Sequence, residues 1–141
     1  MKYVLDSSIG FKWVVAEPIS DKALLLREDY RNTIHELIAP DIFLVEVTHA
    51  LTRAERQGRV PPPKSGLLLA DVLSTAPILF SFIPLLSRAC EISSVMRVGV
   101  YDCLYVALAE REKCDFVTTD DRIIKNLQPT FPFIIHLSSL P

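Results

Sequence analysis

The chain has 141 residues, half of them hydrophobic, and a formal net charge of −2 at pH 7. This length predicts one domain over residues 1–141, with enough residues to bury a sizeable core. The near-neutral charge excludes a basic field over the whole surface, so nucleic-acid binding would need a local patch or metal ions.

Three cysteines, Cys90, Cys103 and Cys114, form an odd set without a C-x-x-C pair. They predict reduced thiols and a cytoplasmic protein. The chain begins with a short apolar run, which predicts a strand rather than a signal peptide. The longest apolar region, residues 67–86, is interrupted by one acid and two prolines, so no membrane span is predicted.

The first predicted strand is Tyr3-Val4-Leu5, and Asp6 follows it directly. Ser7 or Ser8 is suited to cap the helix that comes next. Asp6 then lies at the carboxyl end of a strand, the edge at which parallel sheets bind ligands. The alternative is that Asp6 only caps the helix.

Residues 20–32 predict a half-exposed helix, and residues 37–39 predict a second strand. A longer helix is predicted to begin with Asp41 as its N-cap. Glu46 borders the inward-facing apolar stripe of that helix, although an acid in such a position commonly turns outward to solvent.

The second half continues the alternation of helices and strands. The pattern predicts helices over 67–74 and 85–98, the latter ended by Gly99, and strands over 79–83, 116–118 and 133–137. Between them, residues 100–110 are apolar on nearly all sides and predict a buried helix. Asp102 lies in its first turn, where a carboxylate is also favoured simply as a helix-start acid. Asp120 follows the strand over 116–118, as Asp6 follows the first strand.

This alternation predicts a three-layer α/β/α domain with a mostly parallel central sheet. In such a sheet Asp6, Glu46, Asp102 and Asp120 converge on one edge. Clustered carboxylates repel one another unless a cation neutralises them, and Mg²⁺ or Mn²⁺ suits oxygen ligands best. The three histidines lack ligand spacing, so we predict no zinc site and ordinary surface or packing roles for them.

Four motifs in this order resemble the PIN domain and, more narrowly, the VapC toxins of prokaryotic toxin–antitoxin pairs. They are Asp6-Ser7-Ser8 after the first strand, Glu46 shortly after Pro40, the segment YDCLYVALA over 101–109, and Val117-Thr118-Thr119-Asp120. The resemblance covers almost the whole chain. It implies a Mg²⁺-dependent endoribonuclease (Mn²⁺ being possible) that hydrolyses RNA phosphodiester bonds with metal-activated water, leaving a 5′-phosphate and a 3′-hydroxyl.

The resemblance also implies roles for individual residues. Asp6, Glu46, Asp102 and Asp120 would be the catalytic and metal-binding acids, with Asp6 and Asp102 the most direct ligands. Asp121 would lie outside the site. Supporting hydrogen bonds would come from Ser7 or Ser8 and from Thr118. Candidates for holding RNA phosphates are Lys12, Arg53, Arg56, Arg59, Arg97, Arg122 and Lys125.

The expected partners are an RNA substrate, an antitoxin protein and a second copy of the chain in a homodimer. One alternative is a catalytically silent PIN-like module that binds RNA or protein. Another is a phosphoryl-transfer domain with a strand-end aspartate nucleophile. Its Asp-x-Asp opening is missing at Asp6, and Lys125 is misplaced for a receiver-type lysine.

Overall fold

The computed structural model describes residues 1–141 and confirms the predicted three-layer α/β/α fold. The strands are β1 (Lys2–Leu5), β2 (Glu36–Pro40), β3 (Ile78–Phe80), β4 (Asp115–Thr118) and β5 (Ile134–His136). The α-helices are α1 (Ser7–Lys12), α2 (Ser20–Arg31), α3 (Ile42–Arg56), α4 (Ser65–Leu73), α5 (Leu86–Met96), α6 (Val100–Glu112) and α7 (Asp121–Leu127). None of the helices is both long and apolar enough to cross a membrane.

All neighbouring strands of the sheet are parallel, in the order β3-β2-β1-β4-β5. The central strand β1 pairs with β2 on one side and β4 on the other, so Val4 lies opposite both Ile38 and Phe116. These three side chains are fully buried, as expected for strands covered on both faces. The strand order reverses between β1 and β4, which makes this point the expected ligand crevice.

The buried helix predicted over 100–110 is α6. Every residue from Cys103 to Ala109 is at most 3% exposed. The helix packs against α5 and against β1, β2 and β4. Because α6 is fixed by this packing, the residues of its first turns have a defined position over the sheet edge.

Gly10 allows α1 and α3 to pack closely. A Cβ atom at this position would lie 2.7 Å from the ring of Phe43, closer than real Cβ contacts allow. Phe43 belongs to the first turn of α3, and Glu46 follows it by three residues. The small residue therefore lets the helix that carries Glu46 approach the helix that follows Asp6.

The predictions for two helix ends are wrong, and a third is confirmed in position only. Ser7 and Ser8 lie inside α1 rather than capping it, because Asp6 is the N-cap residue. Gly99 does not end α5, because Arg97 already ends it in the left-handed region with φ 59°. Asp41 is the N-cap residue of α3 as predicted, but its carboxylate makes no capping hydrogen bond and instead accepts one from the amide of Phe82 at 3.1 Å.

The predicted strand over 79–83 is shorter than expected. It pairs only over Ile78–Phe80, and a single 3-10 turn, Ile83–Leu85, leads into α5. The aromatic residue Phe82 lies between the two, and proline at position 84 favours the turn over further pairing. β3 is consequently a short edge strand.

Candidate active site

A cleft of about 720 Å³ lies at the carboxyl edge of the sheet. It is lined by all four acids that the sequence predicted for the site. Its other lining residues are Ser7, Ser8, Phe11, Glu17, Val45, His49, Ala50, Arg53, Tyr101 and Arg122. The crevice between β1 and β4 therefore brings together acids that lie up to 114 positions apart in the chain, from Asp6 to Asp120.

Asp6 lines this cleft and is 5% exposed. Its Oδ2 accepts hydrogen bonds from Ser8 Oγ and from Thr118 Oγ1, both at 2.7 Å. It makes no side-chain capping bond to α1, so helix capping does not explain this acid. Burial raises the pKa of Asp6 and the charge of Asp120 adds to this effect, while the two hydroxyls oppose it.

Glu46 enters the cleft from α3 instead of turning outward. Its Oε1 accepts a hydrogen bond of 2.6 Å from the hydroxyl of Tyr105 on α6. Burial raises the pKa of Glu46 to about 7, and the charges of Asp6 and Asp102 contribute. Hydrogen bonds from Tyr105 and Ser7 work in the opposite direction. The carboxylate is therefore held among like charges with a pKa near neutrality.

Asp102 lies in the first turn of α6, as predicted. Burial raises its pKa to about 6, and the charges of Asp6 and Asp120 contribute in the same direction. The charge of Arg122 opposes them. The position at a helix start favours a carboxylate, but these neighbours make its ionised form costly.

Asp120 connects the end of β4 to α7. Its Oδ1 accepts a hydrogen bond from the backbone N–H of Arg122 at 2.8 Å, so it caps α7 as well as lining the cleft. Its side chain is 29% exposed, and its Oδ2 lies 3.6 Å from the guanidinium of Arg122. The next residue, Asp121, is 97% exposed at its side chain and lies 3.8 Å from His136.

Comparison with known proteins identifies the family. The PIN domain family model matches residues 3–128. The chain belongs to the PIN domain family. No curated protein sequence matches it.

Solved structures share the fold of this PIN domain. The crystal structure of PAE2754 from Pyrobaculum aerophilum aligns with a TM-score of 0.70 and 22% identity, over 99% of this chain and 94% of that one. The crystal structure of VapBC2 from Rickettsia felis, bound to a DNA fragment from their promoter, aligns with a TM-score of 0.65 and 16% identity. That alignment covers 96% of this chain and 97% of the other.

The predicted basic residues divide into three groups. Arg53 and Arg122 line the cleft of this PIN domain. Lys12 and Arg59 both pair with Glu17 at the cleft wall, at 2.8 and 2.6 Å. The remaining candidates do not line the cleft; they are Arg56, Arg97 and Lys125.

Several residues of the site carried no predicted role. Tyr105 was interpreted only as part of a buried helix, although its spacing of three from Asp102 places both on one face. Thr119 Oγ1 donates to Ser8 Oγ at 2.9 Å and extends the hydroxyl network around Asp6. Glu17 lines the cleft wall, and nothing local in the sequence distinguishes it; His49, for which an ordinary surface or packing role is predicted, lines the same wall.

The donor set of this PIN domain suits a hard divalent cation. The cleft offers carboxylate and hydroxyl oxygens, and burial, together with repulsion among the acids, raises the pKa values of Asp6, Glu46 and Asp102. No three His, Cys, Asp or Glu side chains converge closely enough to hold one ion by themselves. Mg²⁺ commonly uses one or two carboxylates and completes its shell with water and substrate phosphate, so the residues fit this ion.

We expect Asp120→Asn to reduce metal-dependent activity by at least about 10-fold and Asp121→Asn to leave it within about 2-fold. The reason is their placement. Of these two acids, Asp120 lines the cleft and Asp121 does not, and the charge of Asp120 raises the pKa values of Asp6 and Asp102. The asparagine at 120 retains an oxygen for capping α7, which limits the loss of stability. The two variants are assayed side by side. Equal losses of activity would contradict the assignment of Asp120 as the fourth acid of the site.

Proposed function

We propose that this PIN domain is a metal-dependent endoribonuclease of the VapC type, the toxin of a toxin–antitoxin pair. The observation that carries the proposal is the single cleft at the sheet edge that Asp6, Glu46, Asp102 and Asp120 all line. A protein gains no stability from unpaired carboxylates held together. Such a cluster is useful when a cation and a phosphodiester enter it.

In this proposal Asp6 and Asp102 hold Mg²⁺ or Mn²⁺, which when bound would neutralise phosphate charge and favour ionisation of water. Asp6 is already oriented by Ser8 and Thr118, so it needs little rearrangement. Glu46, with a pKa of about 7, is suited to accept a proton from the attacking water. Asp120, which lines the same cleft, would help to orient that water.

The walls of the cleft supply contacts for an RNA strand. Arg53 and Arg122 line the cleft and would neutralise phosphates of a bound strand. The side chain of Tyr101 is 61% exposed at the rim and offers a ring on which a base can stack. Lys12 and Arg59 are already paired with Glu17, so we assign them a smaller share of the phosphate binding.

The test of the proposed function is cleavage of RNA by the purified chain with Mg²⁺ or Mn²⁺ and with EDTA. We expect cleavage only with metal, and products with 5′-phosphate and 3′-hydroxyl ends. Asp102→Asn purified in the same way serves as the control for contaminating nucleases. Binding of RNA without cleavage under any metal condition would instead favour a silent RNA-binding module.

The partner surfaces are proposed from the distribution of apolar side chains. Six of the thirteen exposed large hydrophobic residues lie between positions 67 and 86, on α4, β3 and the turn into α5. They are Leu67, Leu73, Ile78, Leu79, Ile83 and Leu86. Such a concentration is typical of a protein–protein interface. We propose that a second copy covers this surface, and that an antitoxin enters the acidic cleft with a cationic side chain.

We expect light scattering to give the mass of a dimer at micromolar concentrations. Leu67→Glu combined with Leu73→Glu should shift the chain toward the monomer, because two charges would be buried in the interface. Ile34→Glu, at an exposed hydrophobic residue outside this segment, is the matched control and should remain dimeric. A wild-type monomer at high micromolar concentration would contradict the proposed dimer.

A further inference from the structure

Helix α6 acts on two of the four acids of the cleft. It carries Asp102 directly, and three residues later it carries Tyr105, whose hydroxyl donates to Glu46 Oε1. Residues three apart lie on the same face of a helix, so both side chains point toward the site. The 2.6 Å bond joins α6 to α3 across 59 positions of the chain.

The position of the Tyr105 hydroxyl is fixed by packing. The side chain is fully buried, and its ring stacks on Phe116 of β4 with centroids 5.4 Å apart and planes 15° apart. The hydroxyl therefore has little freedom to follow a moving partner. The hydrogen bond from this hydroxyl to Glu46 Oε1, at 2.6 Å, lies at the short end of the range for O–H···O bonds.

The partner of this hydroxyl sets it apart from an ordinary core tyrosine. Tyr30 shows the ordinary arrangement, because its hydroxyl donates to the backbone oxygen of Ala76 at 2.9 Å, away from the cleft. Tyr105 instead donates to a carboxylate that Asp6 and Asp102 repel. Without a fixed donor, that carboxylate would be driven away from the other two acids toward solvent.

We propose that Tyr105 is a positioning residue, which holds the Glu46 carboxylate in the cleft toward Asp6 and Asp102. This inference rests on the proposed nuclease function, in which Glu46 accepts a proton. Tyr105 itself touches neither substrate nor metal. Groups that orient such a carboxylate typically change metal affinity or activity by about 10–100-fold when they are removed.

The first experiment compares Tyr105→Phe with Tyr30→Phe, each of which deletes one buried hydroxyl and retains the ring. If the wild-type chain cleaves RNA, we expect Tyr105→Phe to lower kcat by about 10–100-fold and to leave KM for RNA within about 2-fold of the wild-type value. Tyr30→Phe should retain wild-type kcat. In a Glu46→Gln background, Tyr105→Phe should cause no further loss, because the group it positions has already been replaced.

The second experiment needs neither activity nor metal. The chain has four tyrosines, so ¹³Cζ-tyrosine labelling gives four phenol signals. Single Phe variants at positions 3, 30 and 101 each remove one signal, and the signal that remains in all three belongs to Tyr105. Glu46→Gln should move the Tyr105 signal, because an amide replaces the carboxyl group that accepts its hydrogen bond. The Tyr30 signal should stay in place. This measurement remains possible if Tyr105→Phe fails to fold.

The outcomes separate this inference from the proposed function. If the wild-type chain cleaves RNA and Tyr105→Phe retains its kcat, the positioning role is wrong and the nuclease function stands. If Glu46→Gln leaves the Tyr105 signal unmoved, the hydrogen bond is absent and the inference fails. If the wild-type chain does not cleave RNA, the proposed function fails by itself, and with it the catalytic purpose assigned to Tyr105.

Discussion

Asp102→Asn and Asp6→Asn are each expected to reduce RNA cleavage by more than about 100-fold at saturating Mg²⁺. Asparagine retains the shape and one oxygen of the side chain but removes the charge that a hard cation needs. Burial and the charges of Asp6 and Asp120 raise the pKa of Asp102, and both Asp102 and Asp6 line the cleft. Rates are measured over a range of metal concentrations.

Asp21→Asn provides the matched control for this prediction. Asp21 is an exposed acid in the first turn of α2, and it does not line the cleft. The same chemical change there should leave cleavage within about 2-fold of wild type. Full activity of Asp102→Asn at saturating metal would show that the acid cluster is not the catalytic centre.

The placement of the acids could be predicted because each depends on short-range information. Asp6 directly follows β1, Asp120 lies two residues after the end of β4, and Asp102 lies three residues after the glycine that precedes α6. A parallel sheet brings the ends of such strands to one edge regardless of side-chain detail. The topological rule therefore predicts the cleft before any contact is known.

The contacts that orient those acids could not be predicted in the same way. The bond from Tyr105 to Glu46 depends on the packing of α6 against the sheet and on how closely α1 and α3 approach at Gly10. Periodicity places Tyr105 in the core but gives no partner for its hydroxyl. Short-range patterns report which residues are buried, whereas a hydrogen bond across the fold requires the tertiary structure.

The ion pairs of the basic residues likewise could not be predicted from the sequence. Arg59 is one of the residues predicted from the sequence as candidates for holding RNA phosphates. In the structure its guanidinium pairs with Glu17, 42 positions earlier, and lies 5.7 Å over the ring of Phe11. Glu17 also accepts from Lys12, so one acid compensates two candidate cations. A charge pattern along the chain does not reveal such compensation.

In the metal-free protein, Glu46 and Asp102 are expected to contribute a loss of stability as the pH rises from about 4 to about 7. The pKa of Glu46 rises on folding from an ordinary 4.5 to about 7, and that of Asp102 from 3.8 to about 6. Between these limits the folded state binds more protons than the unfolded state, so the free energy of unfolding falls with increasing pH. Thermal unfolding in EDTA at a series of pH values measures this.

A variant that replaces the carboxyl group with an amide isolates the contribution of that group to the pH dependence of stability. The pKa values of Glu17 and Glu110 are lowered by their arginine and lysine partners, which gives a pH dependence of the opposite sign. The difference between wild type and variant is therefore the quantity to compare. At pH 8, metal-free Glu46→Gln should be more stable by roughly 1 kcal/mol after allowance for solvent screening, or about 3–5 °C in Tm.

At pH 5 the same difference should shrink, because the wild-type carboxyl group is then largely protonated in the folded state. A wild-type Tm that rises steadily with pH relative to Glu46→Gln would contradict the raised pKa of Glu46.

Mg²⁺ added at pH 8 should raise the Tm of the wild type more than that of Asp102→Asn, since a ligand that binds only the folded state stabilises it. Equal metal responses in wild type and Asp102→Asn would contradict the assignment of Asp102 as a ligand.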